Sequence, residues 1–204
     1  ESARTGSESA AAFGIFDVIA ARRPDVMLWL GDTVYFRDAD FDGDFDGAVA
    51  CLTNYIQAVV GRYHTNVDIW ICAARMNTSE GLSLSEHERI RLTARAVEVT
   101  QAMAPNAERL VSYDQPWGEY MSRSTADFSP LHFADALVRA RLGLTGLAIE
   151  MNVGYRPGGT PLRDPLDTSR HLDYWSMLGV PIYVTLAVPS SPEHDPLARR
   201  HGLE

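Results

Sequence analysis

The sequence predicts an α/β fold, a partial or atypical (β/α)8 TIM barrel with about five parallel βα units. Three observations predict it. Short β-type runs alternate with runs of helical period about every 40 residues. The β-type runs are nearly continuous in apolar residues, as strands covered on both faces must be. Connections from helix to strand are terse, whereas those from strand to helix are long and rich in polar, Gly, Pro and aromatic residues. Elaboration on that one side places any site at the carboxyl ends of the strands.

Each element has its own signal. A first helix is expected over 9–22, stopped by Pro24, followed by a strand over 26–31. Phe45, Val49, Leu52, Ile56 and Val59 recur at helical spacing and give one apolar stripe on a helix ending near Gly61. A strand over 67–73 follows. Ser85 and Glu88 form a capping box ahead of Ile90, Ala94 and Val97, which share a face. After a strand over 109–113, Ser129 and Pro130 fit the N-cap and first helical positions. Phe133, Leu137 and Ala140 make that helix's apolar face, and Gly143 fits its C′ position. The last units are a strand over 147–152, a helix over 167–178 ended by Gly179, and a strand over 182–188.

With 204 residues and 46% hydrophobic content, the chain can bury one sizeable core and reads as a single domain, 1–204. Its net charge of -9 has the wrong sign for a phosphate-binding surface, so nucleic acid is not an expected partner. All 18 basic residues are Arg. That removes the P-loop lysine, Schiff-base lysines and the Ser-Lys hydrolases. Two cysteines, Cys51 and Cys72, are too few for a metal cage and leave the redox compartment open. No apolar run approaches the roughly 20 residues needed to span a bilayer and no signal-peptide pattern occurs, so a soluble chain without a membrane partner is expected. The chain starts and stops without closing signals and reads as a piece of a longer product.

Side chains at the strand ends are the candidate chemistry: Asp32, Arg75 with Asn77, Asp114 with Gln115, Glu150 with Asn152, and Thr185. Asp114 and Glu150 are the candidate catalytic pair, since paired carboxylates can divide acid and base or nucleophile roles. Trp117, Tyr120 and Tyr155 lie in the same long loops, where flat rings with a polar handle suit a carbohydrate or lid the core. Asp32 and Tyr35 in Gly31-Asp32-Thr33-Val34-Tyr35 are hard oxygen ligands and a metal-site fragment, with no supporting His cluster in sequence. The acidic run Asp38, Asp40, Asp42, Asp44, Asp46 lacks the EF-hand pattern and reads as a loop entering a helix N-terminus.

Over about 41–204 the chain resembles the family-10 glycoside hydrolases, endo-1,4-β-xylanases with a (β/α)8 barrel. The resemblance rests on LTNYIQAVVGRYHTNVDIW, ERLVSYDQPW, FADALVRARLGLTGLAIEMN and HLDYWSMLGVPIYVTLAVPS, in that order. It implies a polysaccharide or oligosaccharide partner, no cofactor, and substrate contacts from Asn77, Gln115, Trp117, Tyr120, Asn152 and Tyr155. In the family pattern W-x-x-x-N-E, counted from Trp70, Ala74 takes the Asn place and Arg75 the acid/base Glu place. Counting back from Pro189, Thr185 takes the nucleophile's place. An Arg cannot donate a proton at neutral pH and a Thr without a base is a poor nucleophile. A catalytically degenerate relative is therefore expected, with Asp114 alone matching a family acid and Glu150 standing where the family has Gln. The barrel's first two strands and its eighth have no counterpart, so a partner chain or further strands would complete it. Residues 1–40 resemble instead the alkaline phosphatase D type metallophosphatases, whose GD-x-x-Y motif would make Asp32 and Tyr35 ligands of a divalent or ferric metal in a phosphoesterase.

Overall fold

The computed structural model describes residues 45–78, 84–154 and 159–188. The helix expected over 9–22, the strand over 26–31, and Asp32, Tyr35 and Tyr155 lie outside the described residues. The element order is α1 (Phe45–Tyr63), β1 (Ile69–Ala74), α2 (Glu86–Met103), β2 (Glu108–Asp114), a 3-10 turn (Glu119–Arg123), α3 (Pro130–Arg139), β3 (Gly146–Asn152), α4 (Pro165–Ser176) and β4 (Ile182–Ala187). The four strands form one parallel sheet in the order β1-β2-β3-β4. Four of the five expected strands and all four expected helices after residue 44 are thus present as βα units.

Local signals set the helix boundaries. Ser85 Oγ accepts from the Glu88 backbone N–H, and the Glu88 carboxylate accepts in return from the Ser85 backbone N–H at 2.8 Å. Ser129 caps α3 through the His132 backbone N–H, with Pro130 at the first position where its missing N–H costs nothing. α4 starts at Pro165, two residues earlier than expected, with Asp164 as its N-cap, because Pro165 fits a first turn. The end of α3 corrects one expectation. Its C-cap is Ala140, so C′ is Arg141, in left-handed conformation with φ 54°, and Gly143 with φ 87° serves the following turn.

Strand parity sorts the side chains. Val111 and Tyr113 of β2 and Leu147, Ile149 and Met151 of β3 face the helices, where they pack with Val97, Phe133, Leu137 and Trp175. A second cluster joins α1 and α2 to β1 through Ile56, Val60, Trp70, Ala96 and Val99. The opposite sheet face carries Ser112, Asp114, Glu150 and Asn152 at its carboxyl end. Gly146 opens β3 without a side chain because a Cβ would meet Leu110 Cδ2 at 2.8 Å and the Pro181 carbonyl at 3.1 Å.

Buried Arg109 stitches the opposite end of the sheet. Its guanidinium donates to the carbonyls of Gly143 at 2.7 Å, Ala104 and Pro105 at 3.2 Å, and Ala107. One side chain thereby satisfies the carbonyls of two tight helix-to-strand turns that would otherwise be left dry. Replacing Arg109 with Ala should cost about 2–3 kcal/mol in chemical denaturation. A loss below about 0.5 kcal/mol would mean that these turns hold without the stitch.

Candidate functional site at the strand carboxyl ends

The site is built where parallel strands release their chain. β1 carries a register shift between Ile71 and Ala73, and Ala74 pairs with Ser112. Arg75 then leaves the strand in left-handed conformation, φ 57°, with its N–H donating to the Ser112 carbonyl at 3.0 Å. Gln115 does the same after β2, with φ 51°. Such conformations cost bulky L-residues on the order of 1 kcal/mol or more, and the hydrogen bonds around them hold them in place.

Glu150 is the centre of the arrangement. It sits opposite Asp114 on β2 and Thr185 on β4 in the sheet register. Ser112 Oγ–H donates to its Oε1 at 2.6 Å and Arg75 Nε–H donates to its Oε2 at 2.7 Å. Asn152 Nδ2 donates to Asp114 Oδ1 at 3.1 Å and reaches Glu150 Oε2 at 3.4 Å, so one amide spans both carboxylates. Both carboxylates are buried, whereas the Arg75 side chain is 51% exposed. The expected pair is therefore assembled in space, with a guanidinium and a hydroxyl already engaging both oxygens of one member.

The other expected site residues fall into two groups. Asn77, fully buried, turns its amide onto the end of β2: Nδ2 donates to the Asp114 carbonyl at 2.7 Å and Oδ1 accepts the Asp114 N–H at 3.3 Å. It does with a side chain what a neighbouring strand does with backbone. Buried Arg89 in turn holds that loop by donating to the Met76 and Asn77 carbonyls. Gln115 accepts from Arg123 at 3.4 Å. Tyr120 is buried, with its hydroxyl donating to the Phe128 carbonyl at 3.0 Å. The Trp117 ring stacks on His171 with centroids 4.4 Å apart, and the Arg163 guanidinium lies 4.7 Å from its centre. Thr185 is exposed on β4.

Sequence reasoning missed Ser112, Glu119, Thr160, Arg163 and His171. Ser112 was legible in principle, since it stands two residues before Asp114 on the same strand face. The others meet only across two loops. Neither Glu119 oxygen is solvent-exposed or closes a hydrogen bond, and burial, the largest cause, raises its pKa. The Thr160 hydroxyl and Arg163 guanidinium nearby temper that rise, and the Asp114 charge adds to it. Burial, the largest cause, likewise lowers the His171 pKa, and its Nε2 lies 2.8 Å from the Pro116 carbonyl, where it is placed to donate, with the Trp175 indole nitrogen 3.0 Å away. Both cysteines are free, and burial pushes the Cys72 thiol up to about 12, which makes it an inert part of the packing. Among the described residues no group of three or more His, Cys, Asp or Glu could hold a metal ion, and no helix is long and apolar enough to cross a membrane.

No protein-family model matches the chain, and no curated protein does. Solved structures match its shape. A family-10 xylanase from Thermobacillus composti superposes with a TM-score of 0.58 at 16% identity, covering 88% of this chain and 55% of the other. Xylanase 10B of Thermotoga maritima gives 0.58 at 14% identity, covering 86% and 53%. A family-10 structure from Paenibacillus barcinonensis gives 0.53 at 15% identity, covering 72% and 46%. The fold is that of a partial xylanase-like barrel. The chain spans about half the length of these structures.

Glu119 gives a pH prediction. Its folded pKa lies above the unfolded one, so its contribution to stability is fully present below the unfolded carboxyl range and is lost as pH rises through the folded value. Relative to Glu119→Gln, the wild type should lose thermal stability as pH rises from about 4 towards neutrality. A pH-independent difference between the two melting curves would show that the carboxyl is ordinarily solvated.

Proposed function

We propose that the carboxyl-end face of this sheet binds a polysaccharide or oligosaccharide of the xylan class without hydrolysing it. One observation carries the reading: the carboxylate at the heart of the site, Glu150, is engaged on both oxygens by Arg75 and Ser112. Arg75 occupies the position that the resemblance gives to the acid/base glutamate, and Thr185 the position of the nucleophile. A two-carboxylate hydrolysis needs one group that can donate a proton and one that can attack the sugar or activate water. Asp114 remains as a second carboxylate, with Asn152 and the Gln115 backbone N–H both donating to its Oδ1. What the face offers instead is recognition chemistry. Half-exposed Arg75 donates, Thr185 can donate and accept, and Asn152 stands between the carboxylates, a mixed set that suits sugar hydroxyls. The xylanase-like fold supports this choice of ligand class.

Calorimetric titration with xylo-oligosaccharides, with reducing-sugar release followed on the same sample, tests it. Saturable binding without product is expected, and Asn152→Ala should weaken it by about tenfold, the equivalent of one lost hydrogen bond of about 1.4 kcal/mol. Product formation abolished by Glu150→Gln would make the protein a hydrolase and overturn the reading. A folded sample that neither binds nor cleaves would overturn it as well.

A further inference from the structure

The contacts that fix Arg75 use only part of its guanidinium. The backbone is pinned on both sides: its N–H donates to the Ser112 carbonyl at 3.0 Å, and its carbonyl accepts from the Thr78 N–H at 3.1 Å and the Thr78 hydroxyl at 3.0 Å. The side chain is pinned through one atom, Nε, which donates to Glu150 Oε2 at 2.7 Å. Among the described residues nothing accepts from the two Nη groups, and 51% of the side chain is exposed. With Nε taken, the edge left open is the one formed by Nη1 and Nη2. Asn152 Nδ2 reaches the same Glu150 oxygen at 3.4 Å, so the guanidinium stands beside an amide of the sugar-binding face.

That open edge presents two parallel N–H groups in one plane, a geometry that meets both oxygens of a carboxylate. A sugar hydroxyl offers a single oxygen and leaves half of the edge unmet. A guanidinium is also weakly hydrated for a cation, so it gives up little when an anion docks. Held by Glu150 and by its own backbone, Arg75 has less rotamer freedom left to lose on binding than a loose surface arginine. Glu150 does not close the edge to a second anion. It meets the guanidinium at Nε, away from that edge, and Ser112 and Asn152 share its charge. A second cation, Arg123, borders the same strand ends, its Nη2 lying 3.4 Å from Gln115 Oε1.

We propose that Arg75 makes this face selective for acidic oligosaccharides: the ligand is a xylan-class chain bearing a uronic acid, whose carboxylate docks on the Nη edge of Arg75 while neutral hydroxyls meet Asn152 and Thr185. This selectivity rests on the sugar-binding reading above. The chain as a whole, at a net charge of -9, repels anions, so tighter binding of an acidic sugar reports a local site rather than general attraction.

The test is calorimetric titration of the full 204-residue chain with two xylo-oligosaccharides of equal length, one neutral and one bearing a single glucuronic acid. The acidic ligand should bind about tenfold tighter at low salt, and the preference should shrink as sodium chloride is raised. Converting the carboxylate of that ligand to its methyl ester should remove the preference with the protein unaltered. Arg75→Gln, checked for folding by circular dichroism, should remove it as well. Equal binding of the neutral and acidic ligands, or a preference that survives esterification, overturns the selectivity and leaves the sugar-binding reading in place. A preference undiminished in folded Arg75→Gln puts the carboxylate on another group and overturns it too. A folded wild-type chain that binds neither ligand overturns both.

Discussion

The Glu150 carboxylate, held by Arg75 and Ser112, is the constraint from which the rest of the site follows. Engaging the oxygens of a buried carboxylate offsets the cost of taking its charge out of water, and here three strand ends contribute to that engagement. β1 delivers Arg75, β2 delivers Ser112, and β3 delivers Glu150 itself with Asn152. The left-handed backbone at Arg75 belongs to the same requirement. A register shift in β1 and a turn at φ 57° bring an arginine from the end of one strand to a carboxylate two strands away. Satisfying this charge engages both Glu150 oxygens within the protein itself.

Around that centre, polar groups hold loops. Asn77 extends the hydrogen bonding of β2 beyond its last residue, and Arg89 holds the loop that carries Asn77. Glu86, in the first turn of α2, accepts from the Asp127 and Phe128 backbone N–H groups and so ties the long loop after β2 to a helix two elements earlier. At the other end of the sheet Arg109 closes two tight turns. In a chain without lysine, Arg89 and Arg109 take the tasks in which one planar guanidinium serves several carbonyls at once.

The fold was legible because its signals are local. Apolar runs gave β2, β3 and β4 to within a residue at each end, and β1 began two residues late because Val67 stays in the turn after α1, its N–H donating to the Tyr63 carbonyl. Ser85 with Glu88 and Ser129 with Pro130 named their helix starts outright. Gly143 was misplaced because a glycine looks like the natural left-handed residue, yet Arg141 takes that conformation. Asp114, Glu150 and Asn152 were legible as strand-end residues, and strand parity with adjacent register is enough to bring them together. The grip of Arg75 on Glu150 was not, because the partners are 75 residues apart and their contact depends on a register shift that no local pattern announces. Nor was the desolvated Glu119, whose surroundings of Thr160 and Arg163 come from the loop after another strand.

The most direct test of the central claim is a double-mutant cycle on Arg75 and Glu150, read as stability to chemical denaturation. Arg75→Ala, Glu150→Gln and the double variant isolate the energy that the two side chains share. With one partner buried and the other half-exposed, a coupling of about 1–2 kcal/mol is expected after allowance for solvent screening. A coupling indistinguishable from zero would contradict the claim, because Glu150 would then be a carboxylate that Arg75 does not hold.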